Sequence, residues 1–258
     1  MGKVGSKPLA SLKHCTLWKA DRSPACRSVM MALDAMNISV TEVDVDMDKA
    51  EHKGQDIVCM NPLQTLPIFK DKELILTDSH AINTYLASRY SSLDQLLPRD
   101  PGGRAVVDQL LCYNCGVLQP RYRNSADPIM YENCRYVLPD HMFEIENSYA
   151  DLETILSHRP WLTGSLLTLA DISIAATIST LNILVPVDKT KYPNLYSWLF
   201  KMSEESFYST ANVKGLDEFA KRIDSGEYYA NEFKACPRSS LARRSQNLIS
   251  PEENIDVK

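Results

Sequence analysis

Ser23-Pro24 begins a helix, and the chemistry it offers is that of an anion held at a helix end. Serine is a favoured N-cap and proline a favoured first helical residue. Val29, Met30, Leu33 and Met36 then recur at helical spacing. The N–H groups of a first turn lack intrahelical partners and sit at the positive end of the helix dipole. Thr77-Asp78-Ser79 predicts a second helix start of this kind, continued by Ala81, Ile82, Tyr85 and Leu86. Cys26 follows Ser23 at the spacing of a dithiol pair, but thiol exchange needs an attacking thiolate where Ser23 stands. Cys26 therefore reads as a small buried residue. Cys112 and Cys115 form a CxxC inside a helical pattern rather than at a strand-to-helix turn. No second CxxC or paired histidine completes a zinc site, so neither a metal nor an organic cofactor is expected. Thr168 and Asp171 have capping-box spacing, with Asp in place of the usual Glu or Gln, and read as folding residues.

The elements that must position these groups fall into two halves. Cys15–Trp18, Val40–Val45, Leu66–Phe69 and Leu74–Leu76 read as short strands, with helices opened by Ser23 and Asp78 between and after them. Asp48–Gln55 is polar and poorly periodic. This order predicts one small mixed sheet over 14–91. Ser91–Gly103, rich in proline, glycine and charge, reads as a linker at 92–103. Beyond it Arg104–Leu118, Leu138–Ser157, Thr168–Leu184 and Leu195–Glu205 read as helices, an all-α domain over 104–225. Residues 1–13 read as an N-terminal extension and 226–258 as a polar tail.

Composition narrows the function classes. A formal charge of −5 and no basic stripe exclude a nucleic-acid surface. Residues 1–13 carry three lysines and no apolar core, so no secretory signal is expected. The uncharged stretch Ile172–Val187 is sixteen residues long and holds five hydroxyl or amide side chains, too short and too polar for a membrane span. Seven cysteines without a disulfide framework fit reduced thiols and a cytoplasmic location.

Four motifs in order carry a resemblance. Ser23-Pro24-Ala25-Cys26-Arg27-Ser28-Val29 resembles the active-site opening of insect delta- and epsilon-class cytosolic glutathione S-transferases, and Asn61-Pro62-Leu63-Gln64-Thr65-Leu66-Pro67 their glutathione-backbone loop. Asp78-Ser79-His80-Ala81-Ile82 resembles the epsilon γ-glutamyl site, and Leu167-Thr168-Leu169-Ala170-Asp171 the helix-capping motif of the helical domain. Within the epsilon class, Leu76–Ile82 and Leu167–Asn182 look most like the Noppera-bo group, whose members act in ecdysteroid production. The resemblance implies a thioredoxin-like domain, a helical bundle and a homodimer. It implies conjugation of glutathione to small hydrophobic electrophiles, with detoxification as the role and handling of steroid-like ligands as the alternative.

It also implies roles residue by residue. Ser23 would be catalytic, its hydroxyl and the helix end holding the glutathione sulfur as thiolate. Leu66, beside a cis Pro67, would pair its backbone with the cysteinyl unit, and Asp78, Ser79 and His80 would form the γ-glutamyl site. His52 and Gln64 would serve the glycyl end, although Gln64 stands where most delta and epsilon chains have histidine. The hydrophobic co-substrate would meet Trp18, Tyr113, Val117, Gln119, Arg123, Tyr131 and Phe207. At the position of the Noppera-bo acidic residue ungapped matching puts Tyr122, and Asp127 serves only if the helix is displaced.

Overall fold

The computed structural model describes residues 10–91, 93–132, 134 and 136–224. Residues 1–9, the expected tail at 226–258 and Cys236 lie outside them.

The first half is a four-stranded mixed sheet with strands β1 (Ala10–Lys19), β2 (Ile38–Asp44), β3 (Ile68–Asp71) and β4 (Leu74–Leu76) in the order β2-β1-β3-β4. β1 and β2 are parallel, joined by the crossover helix α1 (Pro24–Ala35); β1–β3 and β3–β4 are antiparallel. β1 starts at Ala10, well before the Cys15–Trp18 segment the alternation suggested, because Lys13 and His14 interrupt the apolar pattern without ending the strand. β2 is an edge strand and its residues from Thr41 to Asp44 are exposed, so its alternation marks an edge rather than a half-buried face. The polar stretch after β2 is more ordered than its composition predicts. It holds a 3₁₀ turn (Glu51–Lys53) and a short helix α2 (Gln55–Met60), anchored by the single buried residue Ile57.

Helix α3 (Ser79–Tyr90) closes this half, and the segment that reads as a linker is helical from Pro101 onward. Asp100 caps the new helix by accepting from Gly103 N at 2.7 Å, which is why α4 (Pro101–Tyr113) starts three residues before Arg104. α4 continues through a π-helical segment, Asn114–Leu118, into α5 (Gln119–Tyr131). Pro120 lacks the N–H that would bond the carbonyl of Gly116, and the i→i+5 pattern there absorbs the misfit. The two prolines that blur this region in sequence thus leave one long rod. α6 (Pro139–Leu156), α7 (Leu169–Leu184), α8 (Pro193–Ser203), α9 (Ser206–Ala211) and α10 (Val213–Asp224) complete the bundle. α9 and α10 are additions to the four helices expected.

Helix α7 is the bundle's centre: every residue from Leu169 to Leu181 is buried. Asp171 at its start is fully buried, accepts from Leu162 N, Thr168 N and Trp198 Nε1 at 2.9, 2.9 and 3.0 Å, and locks the preceding loop and α8 onto α7. The two halves meet where α1 lies on α7 and α9, and where α3 touches α7. Their joint is polar. Arg27, fully buried, donates to Asn212 Oδ1 at 2.6 Å and to Thr180 Oγ1 at 2.5 Å. Ser173 Oγ on α7 accepts from Ser28 Oγ and from Asn83 Nδ2, both at 3.2 Å.

α10 comes closer still to the first half. A Cβ on Gly215 would overlap the carbonyl oxygen of Asp21 and stand 2.8 Å from Arg27 Cδ, so only glycine lets this helix rest on the turn between β1 and α1. Because the obstacle is backbone, relief requires moving the helix or the turn. Gly215→Ala is expected to destabilise the chain by about 3 kcal/mol, read as a lower urea midpoint with an unchanged m-value.

Candidate active site

The strand registers bring the motifs to one end of the sheet. β1 pairs Trp18 with Ile68, and one further step places Lys19 level with Pro67. β3 pairs Phe69 with Leu76, and two further steps place Pro67 level with Asp78. Ser23 follows Lys19 by four residues, so the α1 start, the Leu66-Pro67 loop and the α3 start all lie at this edge.

Ser23 is the N-cap of α1, and its Oγ accepts from Cys26 N at 3.4 Å. As an acceptor in the cap, the hydroxyl keeps its own proton free to donate outward. The first turn of α1 holds no acidic residue, and the buried Arg27 cation follows directly. Cys26 is the wrong kind of thiol for exchange: it is fully buried, its sulfur accepts from Ala20 N at 3.4 Å, and burial pushes its pKa up to about 11.

The turn that presents Ser23 is braced by charge. Lys19 Nζ sits 2.5 Å from Asp21 and 2.6 Å from Asp44, and Lys214 of α10 reaches the other Asp21 oxygen at 2.8 Å. Burial opposes the Lys19 ammonium, yet the Asp21 and Asp44 bonds outweigh it and hold its pKa above the usual lysine value. Arg22 pairs with Asp48 at 2.9 Å. These groups line a cleft of about 600 Å³ between the turn, the loop after β2 and α10. Charged side chains predominate in its lining, beside Ala20, Val45 and Met47, and none of the residues expected to hold a hydrophobic co-substrate lines it.

The loop before Pro67 is organised by Asn61, a residue the sequence reading quoted without giving it a task. Nearly fully buried, it accepts from Leu63 N at 3.0 Å and donates to Thr65 O at 2.8 Å. The Leu66–Pro67 bond is cis, as the resemblance implies, and Gln64 is exposed with a left-handed φ of 57°. His52 lies on the 3₁₀ turn, half-buried; burial, then the neighbouring Lys53 charge, lowers its pKa.

At the α3 start Asp78 is the N-cap: its Oδ1 accepts from His80 N at 2.8 Å and Ala81 N at 3.1 Å. The His80 ring bond, followed by these amides, lowers the Asp78 pKa to about 2, so a carboxylate faces solvent here at any physiological pH. Ser79 is buried beside it. The His80 ring is buried between Asp78 and Asn114. Its Nδ1 is 3.2 Å from Asp78 and its Nε2 is 3.0 Å from Asn114 Nδ2, which also donates to Ser173 O at 3.1 Å. Since Asn114 presents an N–H, the ring accepts at Nε2 and donates from Nδ1 to Asp78.

The rod of α4 and α5 passes along this edge. Cys115 is within electrostatic reach of Asp78 and Arg123, Tyr122 of Arg27 and Arg22, and Tyr131 of Arg22 and Asp48. Arg123 and Tyr131 are exposed and Val117 is half-buried on it, whereas Gln119 is tied to Thr177 of α7 at 3.0 Å. Three expected lining residues are placed otherwise. Trp18 packs with Val45, Ile57 and Ile68 in a small core of its own, because Cys15 and Leu17 take the strand face toward the bundle. Tyr113 donates to Asp151 of α6 at 2.9 Å, and Phe207 is part of the main core.

Comparison with known proteins identifies the family. Residues 13–88 match the glutathione S-transferase N-terminal domain family and residues 125–205 the C-terminal domain family. The chain is 38% identical over 204 residues to glutathione S-transferase 1 of Manduca sexta, covering 78% of this chain and 94% of that one. Among solved structures it resembles an epsilon-class glutathione S-transferase of the housefly Musca domestica, with 31% identity, a TM-score of 0.80 and coverage of 82% and 98%. A Drosophila mojavensis glutathione transferase homologue with bound glutathione shares 30% identity at a TM-score of 0.78, covering 82% and 97%. The chain belongs to the glutathione S-transferase family, with a thioredoxin-like first domain and an all-helical second one.

Proposed function

We propose that this glutathione transferase conjugates glutathione to small hydrophobic electrophiles, in the manner of a detoxifying enzyme, and that Ser23 holds the reacting sulfur. The observation that carries the reading is the Ser23 cap: its Oγ accepts from Cys26 N, which leaves the hydroxyl proton available to a sulfur at the positive end of α1. A free thiol has a pKa near 8.5, roughly, and lowering it by about two units needs about 2.7 kcal/mol. One charge-assisted hydrogen bond and a helix end are of that size. The thiolate then attacks the electrophilic carbon, forms the carbon–sulfur bond and expels the leaving group.

Glutathione lies along the sheet edge with its cysteinyl backbone against Leu66 and its γ-glutamyl end at the α3 start. The exposed, ionised Asp78 suits the α-ammonium, while the hydroxyl and N–H of Ser79, ahead of the two amides taken by the Asp78 cap, suit the carboxylate. Gln64 and His52 serve the glycyl carboxylate without a fixed charge. The electrophile meets the wall formed by Val117, Arg123 and Tyr131. We further propose a cytoplasmic homodimer; among the described residues no helix is long and apolar enough to cross a membrane.

A steroid-handling role of the Noppera-bo type is favoured less by the wall itself. Tyr122 of α5 packs on Phe219 with ring centroids 6.1 Å apart and offers no carboxylate. Asp127, five residues on, turns away by about 140° around the helix, and burial raises its pKa.

Three outcomes test the reading. Ser23→Ala should lower kcat/KM for 1-chloro-2,4-dinitrobenzene by at least about tenfold, near 1.4 kcal/mol, and raise the apparent pKa of bound glutathione in ultraviolet titrations. An unchanged thiolate pKa would remove Ser23 from the mechanism. Asp78→Asn keeps a good N-cap but loses the charge, so the KM for glutathione should rise about tenfold or more while kcat changes little; a matched fall in kcat would refute the anchor. Cys26→Ala should leave conjugation within about twofold, since burial keeps that thiol protonated. Loss of turnover in this variant, with its fold intact by circular dichroism, would return the mechanism to Cys26.

A further inference from the structure

β1 contains a bulge whose place on the strand brings together three side chains of metal-binding type. Leu12 pairs with Val40 and Thr16 with Thr41, so residues 13–15 have no counterparts on β2. In a regular strand His14 and Cys15 would point to opposite faces. A stretch without partners on one side is where a bulge can re-aim a side chain, and the exposed His14 ring reaches Asp71 Oδ1 at 3.4 Å. A ring nitrogen of His14, the sulfur of Cys15 and an oxygen of Asp71 all lie within 4.8 Å of one another.

Asp71 comes from β3, where it pairs in register with Cys15. Its carboxylate is held for use from one side only. Tyr85 donates to Oδ2 at 2.7 Å and Tyr90 donates to the same oxygen, which turns Oδ1 toward His14 Nε2 at 3.4 Å. Tyr90 also flanks the thiol, its hydroxyl 4.0 Å from Cys15 Sγ. Cys15 and Asp71 are buried, while the His14 side chain is 44% exposed and leaves the cluster open to solvent on that side.

We propose that His14, Cys15 and Asp71 bind one divalent transition-metal ion of the zinc type, with a fourth position open to water. Tetrahedral zinc with bonds of about 2.0–2.3 Å keeps its ligands roughly 3.3–3.7 Å apart. The His14–Asp71 pair already has that separation, and the sulfur needs to close by about an ångström or less. A mixed nitrogen, sulfur and oxygen set selects zinc, cobalt or a similar ion over calcium or magnesium, which take oxygen ligands. Charge also balances: a thiolate and a carboxylate neutralise the ion, His14 stays neutral, and the thiol proton leaves to solvent. Tyr85 and Tyr90 orient the ligating carboxylate, the kind of outer support that metal sites depend on. The site lies on β1 away from the Lys19 end that leads to Ser23, so it stands or falls apart from the conjugation reading.

Full-length protein stripped with a chelator and titrated with cobalt(II) gives the test. One equivalent should produce a thiolate-to-cobalt charge-transfer band with the strong visible bands of a tetrahedral ion, and zinc should displace it and raise the melting temperature. His14→Ala changes an exposed side chain and should weaken binding at least about tenfold. Cys15→Ser should abolish the charge-transfer band, and Cys115→Ser should keep it. Absence of the band in the wild type overturns the site. So does a band that disappears with Cys115→Ser, which would place the ion beside Asp78 and His80 instead. Should Cys15→Ser fail to fold, the affinity of His14→Ala decides: unaltered binding overturns the proposal.

Discussion

The two domains are joined through a buried guanidinium. Arg27 extends from α1 to Thr180 on α7 and to Asn212 between α9 and α10, and among the described residues no carboxylate forms an ion pair with it. Burial lowers its pKa to about 10, so the charge is retained and solvated by neutral oxygens instead of a counter-ion. Leaving such a group unpaired in the interior is costly. The hydrogen bonds therefore fix where α1 can lie relative to α7, and with it the direction in which Ser23 faces. A packed apolar joint of the same area would bind the halves but would leave their angle less defined. The Ser28, Asn83 and Ser173 hydrogen bonds make the same demand at the next residue of α1 and about two turns earlier on α7.

What the sequence made legible follows from how local each signal is. The Ser23 and Asp78 caps, the strand after Pro67, and the Thr168–Asp171 box are all decided within a few residues, and each appears where the spacing puts it. The joint was not legible. Arg27, Ser28, Asn83, Asn114 and Ser173 each look like ordinary surface residues until α1, α3, α4 and α7 are packed together. Asn61 is a similar case, since an asparagine before proline reads as a turn and not as the support of the turn that follows. Pro120 and Pro128 obscured the rod for a different reason: the π segment that accommodates the first has no sequence pattern of its own. Trp18 shows a signal that was available. With Cys15 and Leu17 facing the main core, a period of two sends Trp18 to the other side.

His80 links these two levels. The resemblance assigns it to the γ-glutamyl site, and the fold uses its ring as the connection from Asp78 through Asn114 to the backbone of α7. A side chain of the second domain thus steadies the start of α3 in the first. The same pattern recurs at the β1–α1 turn, where Lys214 and the bare backbone at Gly215 brace Asp21 from outside. Each half of the site is thus completed by a helix of the other domain.

The makeup of the joint has a consequence for the conditions in which the two domains keep their alignment. Hydroxyl, amide and carbonyl partners do not titrate near neutrality, and a fully buried guanidinium is only weakly screened by dissolved ions. The exposed pairs around Asp48 and Lys214, by contrast, weaken as ionic strength rises. Concentrated salt thus acts unevenly on this molecule. It loosens the outer brace of the turn beside Ser23 while leaving the hinge line between the domains rigid.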